Sequence, residues 1–238
     1  MVITFIGSGG KTSLIWLLAR NLVKEYQKIL VTTTTNMYPP QPQAGQYDHY
    51  FMGLPPAGME PQCGITLAGI YNESSGKLGS LVLAELGRLV PAYDLVLIEG
   101  DGSRELPLKA WADHEPVVPA FTDQTVGVIP LWPLGKAVSE QIVHRLPLFC
   151  ALSGAQPGET LKTRHLVSVI SGNKERPEYR SLFSSAQGKR VLFLNHREKT
   201  ALTETCEDLF RQLPDNFASG LCKAACGNIH QGITNLTF

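Results

Sequence analysis

The stretch that most limits what this chain can become is its start, Met1-Val-Ile-Thr-Phe-Ile-Gly7-Ser8-Gly9-Gly10-Lys11-Thr12-Ser13. Val2 to Ile6 is apolar and rich in β-branched residues, the pattern of a short buried strand. Leu14, Ile15, Leu18 and Leu22 then fall on one face of a helix. Between strand and helix stand glycines, a lysine and hydroxyl side chains. A strand, a glycine-rich turn and a helix in that order are the context that a phosphate-binding loop requires. Glycines let backbone N–H groups turn toward an oxyanion where a side chain would block the approach. The helix N-terminus adds a partial positive charge. On this reading Gly7, Ser8, Gly9, Gly10, Lys11, Thr12 and Ser13 bind a nucleotide. Lys11 reaches the terminal phosphates and the Thr12 hydroxyl holds Mg²⁺.

The spacing departs from the common phosphate-loop pattern, which has four residues between its first glycine and Gly-Lys-Thr. Counting back from Gly10 puts Phe5 at that first position, and the glycine that is present, Gly7, gives a loop two residues shorter. This compact form resembles the loop of Mur-type ligases, so ATP-dependent ligation stands as an alternative to hydrolysis or simple phosphoryl transfer.

A second element fits the first. Asp94-Leu-Val-Leu-Ile-Glu99 reads as a buried strand ending in a carboxylate, continued by Gly100-Asp101-Gly102-Ser103-Arg104. An apolar strand followed by an acid is the form of the second metal-site motif of P-loop enzymes. Either Glu99 or Asp101 can hold Mg²⁺ or orient a nucleophile, and the spacing does not choose between them. The catalytic candidates are therefore Lys11, Glu99 and Asp101, and the metal candidates Thr12, Glu99 and Asp101. Ligands of a parallel sheet sit beyond the carboxyl ends of its strands. That brings Thr33 and Thr34, at the end of the strand read over 28–35, within range of a phosphate. Arg104 and Lys109 are candidates to neutralise a phosphate or an acidic substrate. His114, His144 and Arg145 are further candidate contacts. Asn195-His-Arg-Glu198 follows another strand, over 189–195, and stands where GTP-binding proteins carry Asn-Lys-x-Asp. Asn195 and Glu198 are thus candidates for the base, with ATP and GTP both open.

Elsewhere the pattern predicts helices over about 11–26, 78–89, 135–150, 160–171 and 202–213, and strands over about 65–71 and 125–131. On the helix over 135–150, Glu140 and His144 would stand one turn apart. Residues 38–64 hold six prolines and little periodicity, and read as a long loop or lid. The alternation of strands and helices predicts a single α/β domain over 1–238, a P-loop NTPase-like three-layer sandwich with a mostly parallel sheet. Lys+Arg and Asp+Glu balance at 21 each, which leaves no electrostatic footprint for nucleic acid or an anionic membrane. No run is long enough to span a bilayer and the N-terminus lacks the form of a signal peptide. Cys63, Cys150, Cys206, Cys222 and Cys226 are odd in number and scattered, which points to reduced thiols and a cytoplasmic setting. Cys222, Cys226 and His230 recur every four residues, but lack the spacing of zinc ribbons or fingers, so no metal is expected there.

Several separated pieces together resemble one family. They are Phe5-Ile-Gly-Ser-Gly-Gly-Lys-Thr-Ser, Thr-Thr-Thr-Thr-Asn-Met37, Glu99-Gly-Asp-Gly-Ser-Arg104, Pro107-Leu-Lys-Ala with His114-Glu-Pro, and Val143-His-Arg145. This set is similar to that of the YqeC-type selenium-dependent hydroxylase accessory proteins. The resemblance extends over most of the chain up to Glu198. It implies a P-loop nucleotide-binding fold, for which the loop and acid motifs lead us to expect Mg²⁺ with ATP or GTP. It also implies a supporting role in the maturation of a molybdenum hydroxylase, with that enzyme or its cofactor-assembly proteins as partners. Against it stand a carboxylate-activating ligase and a non-hydrolysing nucleotide switch that binds a partner protein.

Overall fold

The computed structural model describes residues 1–41, 44–56, 58–196 and 202–229. In chain order β1 (Val2–Gly7), α1 (Lys11–Leu22) and β2 (Lys28–Thr33) are followed by β3 (Asn36–Met37) and β4 (His49–Phe51). Next come β5 (Gly64–Ala68), β6 (Ile70–Asn72), β7 (Lys77–Gly79), α2 (Leu83–Leu89), β8 (Leu95–Glu99), β9 (Leu108–Lys109) and β10 (Gln124–Pro130). The chain continues through β11 (Val143–His144), α3 (Leu146–Ser153), α4 (Thr163–Ser171) and β12 (Lys189–Asn195). It then forms α5 (Leu202–Gln212), α6 (Asp215–Ala218) and β13 (Lys223–Gly227).

Continuous apolar runs become parallel strands because such strands are covered on both faces. Eight strands form one sheet in the order β13-β12-β10-β1-β8-β2-β5-β4, and every neighbouring pair is parallel. Ile3 and Phe5 of β1 pack under Leu14, Ile15 and Leu18 of α1. On the opposite face Ile6 joins Ile129, Leu192 and Leu194 beneath Phe149, Leu166 and Leu209 of α3, α4 and α5. Val2, Leu30, Val96 and Ile98 meet Leu86 of α2 on that same side. Helices therefore cover both faces, giving an α/β structure in three layers. Phe5 is fully buried, and burial of such a side chain is worth about 1.5–3 kcal/mol. No helix among the described residues is long and apolar enough to cross a membrane.

The strand order sets the site. β1 lies between β8 and β10, with Phe5 level with Glu99 and Gly7 level with Val128. The turn after β1 and the end of β8 therefore emerge side by side at the carboxyl edge of the sheet.

The structure differs from the sequence reading in several places. Residues 135–150 are not one helix: Val143–His144 pairs with β9, and α3 begins only at Leu146 with a proline in its first turn. Pro147 lacks an N–H and is tolerated there, whereas inside a longer helix it would break the ladder. Glu140 and His144 consequently do not share a helix face. Lys77–Gly79 is a strand, so α2 starts at Leu83 rather than near 78. The run over 65–71 divides at Gly69, where a Cβ would stand 3.0 Å from the Gly79 carbonyl oxygen; β6 then joins β7 and β3 in a small antiparallel sheet. The proline-rich stretch contains β4, which pairs with β5 at the sheet edge, where Tyr50 packs on Tyr47 and Tyr47 on Trp16. The cysteines also depart from the expectation of free thiols. Cys206 of α5 and Cys226 of β13 form a disulfide, while Cys63, Cys150 and Cys222 are free. Packing of α5 against the last strand joins cysteines whose spacing gave no hint of it. His230 lies outside the described residues.

Candidate functional site

Gly7 and Gly10 have φ of +100° and +128°, which L side chains rarely adopt. The space is closed as well: a Cβ on Gly7 would lie 2.2 Å from the Val128 carbonyl oxygen, and one on Gly10 2.6 Å from Asn195 Nδ2. α1 starts immediately afterwards, and no side chain caps it at Gly10. Its first-turn N–H groups have no intrahelical acceptors, so the positive end of the helix faces outward. In front of it opens a cleft of about 340 Å³. Gly9, Gly10, Lys11, Thr12, Ser13 and Glu99 line it, together with Asn36, Tyr38, Lys77, Ser103, Arg104 and Glu105.

Lys11 is almost fully buried. Its Nζ donates to the Gly7 carbonyl at 2.6 Å and lies 3.3 Å from Asp101 Oδ1. A lysine has three N–H donors, so these two contacts leave one unspent. The Thr12 hydroxyl donates to Glu99 Oε2 at 2.6 Å. Burial holds the Glu99 carboxyl above its usual range, opposed mainly by the Lys11 charge and the Thr12 hydrogen bond. β2 braces this residue from behind. The Thr33 hydroxyl and the Thr34 N–H both donate to the Glu99 carbonyl, at 2.9 and 3.0 Å. The Thr34 hydroxyl donates to the Val117 carbonyl at 2.7 Å. Neither threonine belongs to the cleft wall.

The structure separates the two acids that sequence left equivalent. Glu99 lines the cleft. Asp101 is fully buried beneath the loop and outside the cleft wall. Both its oxygens accept from Gly7 N–H at 3.1 Å, and Oδ2 also accepts from Trp111 Nε1 at 2.6 Å. Lys109 Nζ lies 3.0 Å from the same Oδ2. Asp101 thus fixes the shape of the loop from inside the fold.

Lys109 is also fully buried and away from the cleft. It donates to the Gly102 carbonyl at 2.6 Å and to Glu115 Oε2 at 2.9 Å. Arg145 donates to that Glu115 oxygen at 2.5 Å and to the Ala110 carbonyl at 3.3 Å. Lys11, Asp101, Lys109, Glu115 and Arg145 therefore form a chain of alternating charge. Burial alone would raise the Glu115 carboxyl, but the Arg145 hydrogen bond and the Lys109 charge outweigh it and hold the pKa at about 2. His144 is pushed down to about 4, first by burial and then by the charges of Arg145, Lys109 and Arg104. His114 is exposed and does not border the cleft.

A second cavity of about 280 Å³ shares Gly9, Gly10, Ser13 and Glu105 with the first, and runs on to Pro107, Trp132, Asn195 and Ile229. Asn195 pins the loop to β12: its Nδ2 donates to the Gly9 carbonyl at 2.7 Å. Glu198 lies outside the described residues. Asn36, Tyr38, Lys77 and Trp132 are wall residues that the sequence reading missed. Asn36 directly follows the threonine run, which is a local signal. Lys77 has none, because β7 reaches the site only by pairing with β3.

A family model described as YqeC protein matches residues 3–147. The chain belongs to the YqeC family. Uncharacterized protein YqeC of Escherichia coli (strain K12) is 33% identical over 202 residues, covering 82% of this chain and 75% of that protein. No solved structure matches the chain. The family model's match takes in the loop, Glu99 and the whole charge chain through Arg145, whereas Asn195 and Ile229 lie beyond residue 147.

Proposed function

We propose that this YqeC-family chain is a Mg²⁺-dependent nucleoside-triphosphate-binding protein. On this reading it is an NTPase or kinase-like enzyme of the P-loop type using ATP or GTP, and an accessory in the maturation of a selenium-dependent molybdenum hydroxylase. One observation carries the nucleotide reading: the uncapped N-terminus of α1 faces an open cleft in which the Thr12 hydroxyl and the Glu99 carboxylate meet at 2.6 Å. The link to a hydroxylase rests on the family resemblance alone.

The donor set fits both groups. Backbone N–H groups at the start of α1, with the remaining donor of Lys11, suit phosphate oxygens. Thr12 and Glu99 offer the hard oxygen atoms that Mg²⁺ prefers. When bound, the metal neutralises charge on the phosphates. Lys11 and the loop amides hold the phosphates in place. Glu99 holds the metal or orients the attacking group, and Asp101 positions Lys11 and Gly7. Pro107, Trp132 and Ile229 beside the second cavity give the nucleoside an apolar place to lie. The shortened loop favours a carboxylate-activating ligase as the second reading, which requires both an acid and an amine for turnover.

The test is thermal unfolding of wild type and Lys11→Ala with Mg²⁺-ATP and with Mg²⁺-GTP. A ligand at a hundred times its Kd stabilises by about 2.7 kcal/mol. Wild type should gain such a shift and the variant should lose it. Equal ligand-induced shifts in the two proteins would sink the phosphate-loop assignment.

A further inference from the structure

The cations near the loop fall into two groups. Lys11, Lys109 and Arg145 all belong to the buried charge chain, each against a carboxylate. Lys77 and Arg104 do not. Among the described residues neither forms an ion pair, and both line the cleft in front of Thr12 and Glu99. They come from unrelated elements. Lys77 begins β7 in the small antiparallel sheet. Arg104 stands in the loop after β8, in a left-handed conformation with φ of 52°. Lys77 Nζ lies 4.5 Å above the Tyr38 ring, and Tyr38, itself half exposed, lines the same cleft. A cation over an aromatic face is held in place without being neutralised. Glu105 also lines this cleft, and it too forms no ion pair among the described residues.

The two cavities divide the surroundings of the loop. One leaves Gly9 and Gly10 toward Pro107, Trp132, Asn195 and Ile229; the other leaves them toward Thr12, Glu99, Lys77 and Arg104. If the nucleoside takes the first, the terminal phosphate points into the second. The volume beyond it is walled by two cations that form no ion pair among the described residues, an amide from Asn36 and the Tyr38 ring. Bare water needs no such wall.

We propose that this outer cleft is the site of a second substrate, a small molecule carrying a carboxylate or phosphate oxyanion that Lys77 and Arg104 hold against the terminal phosphate. The inference rests on the nucleotide reading above and makes the protein a phosphotransferase rather than a plain hydrolase. The step balances without a base. A lone pair on the acceptor oxyanion forms the new bond to the γ-phosphorus. The bond from that phosphorus to the bridging oxygen breaks, and its electron pair leaves with the nucleoside diphosphate. An oxyanion acceptor has no proton to remove.

The test uses the full chain and the non-hydrolysable β,γ-imido analogue of ATP with Mg²⁺. Calorimetry first measures the analogue on wild type and on Lys77→Ala/Arg104→Ala. Inorganic phosphate and acetate are then titrated, as separate probes, into the saturated complexes. The expected result is analogue affinity within about threefold in the two proteins, with binding of at least one anion that the double variant weakens by about tenfold or more. Two results overturn the inference while leaving the nucleotide reading intact. One is normal analogue binding with no anion binding. The other is a parallel loss of analogue affinity in the variant, which assigns both cations to the triphosphate. Failure of wild type to bind the analogue at all removes the nucleotide reading and this inference together, and it shows in the first titration. Circular dichroism and the unfolding midpoint of the double variant report whether it folds. Charge reversal of Arg104 alone (Arg104→Glu) provides a second variant, expected to abolish the anion step.

Discussion

Replacing Asp101 by asparagine keeps the size of the side chain and removes its charge. In the native arrangement Asp101 is fully buried and faces donors only: Gly7 N–H, Trp111 Nε1 and the two lysines at 3.3 and 3.0 Å. The amide of the asparagine would retain one acceptor oxygen, but its NH₂ group would point at another donor. The buried chain would go from three cations against two anions to three against one. Breaking a buried pair by removing one partner costs about 3–5 kcal/mol. Lys109 keeps Glu115 and the Gly102 carbonyl, and Lys11 keeps the Gly7 carbonyl. That places Asp101→Asn near the low end, about 3 kcal/mol. For a chain of this size the unfolding midpoint should drop by roughly 6–12 °C. Urea unfolding gives the free energy directly, and a scan gives the midpoint. Adding Lys109→Met should recover part of the loss, because it removes the cation left in excess; a coupling of about 1–3 kcal/mol is expected for residues in one network. An asparagine variant as stable as wild type to within about 0.5 kcal/mol would refute the reasoning. If that variant also lost Mg²⁺-dependent activity, Asp101 would be a metal ligand and not the brace of the loop.

Glu99→Gln should reduce Mg²⁺-dependent activity far more than nucleotide affinity, measured by turnover and calorimetry on the same protein. Because burial raises the Glu99 carboxyl, protons compete with Mg²⁺ from a higher pH than for an ordinary glutamate; a Mg²⁺ titration at falling pH should show affinity lost before pH 4.5 is reached. Glu115 is held at about 2 against an ordinary 4.5, so its contribution to stability is complete above 4.5 and lost as pH falls toward 2. Arg145→Met should raise the acid-unfolding midpoint, and an unchanged midpoint would show that this pair does not contribute. His144, held at about 4 against an ordinary 6.5, is protonated first in the unfolded chain; stability should fall between pH 6.5 and 4, and His144→Gln should flatten that slope. ATP and GTP should differ in affinity by less than about a hundredfold, or about 2.7 kcal/mol, because a glutamate at 198 is a methylene longer than the usual guanine-reading aspartate. Competition calorimetry decides this, and a thousandfold preference would contradict it.

The parts of the molecule that are legible in the sequence are those whose residues act locally. β1, β8, β10 and β12 are continuous apolar runs, and the loop between β1 and α1 is marked by glycines and by Lys-Thr. What is illegible depends on partners far along the chain. β4, β7 and β13 are short and owe their existence to pairing with a neighbour; β13 has only Ala224 and Ala225 to advertise it. The start of α3 is hidden because periodicity runs straight through Pro147, which is in fact a first-turn residue. Glu99 and Asp101 show the limit most clearly. Two residues apart on a strand, they would face the same way. The regular strand ends at Glu99: Gly100 N–H still donates to the Phe5 carbonyl at 2.8 Å, as the last rung of the pairing with β1, and a Cβ there would meet Thr4 at 2.9 Å. One carboxylate is left in the cleft and the other beneath the loop. No spacing rule carries that information.

The position of β1 between β8 and β10 has a consequence for how the chain is made. Of the strands described, β1 is synthesised before the others yet lies in the middle of the sheet, and β2, the next, is not its neighbour. Its pairing edges stay open until β8 inserts between β1 and β2, and the loop it carries is tied down only when Asp101 arrives, 94 residues after Gly7. At ordinary rates of synthesis that interval is roughly 5–20 s. For that time β1 is an apolar strand with two open edges, the kind of segment prone to pair with another chain. A chaperone that binds short apolar segments would find its substrate there.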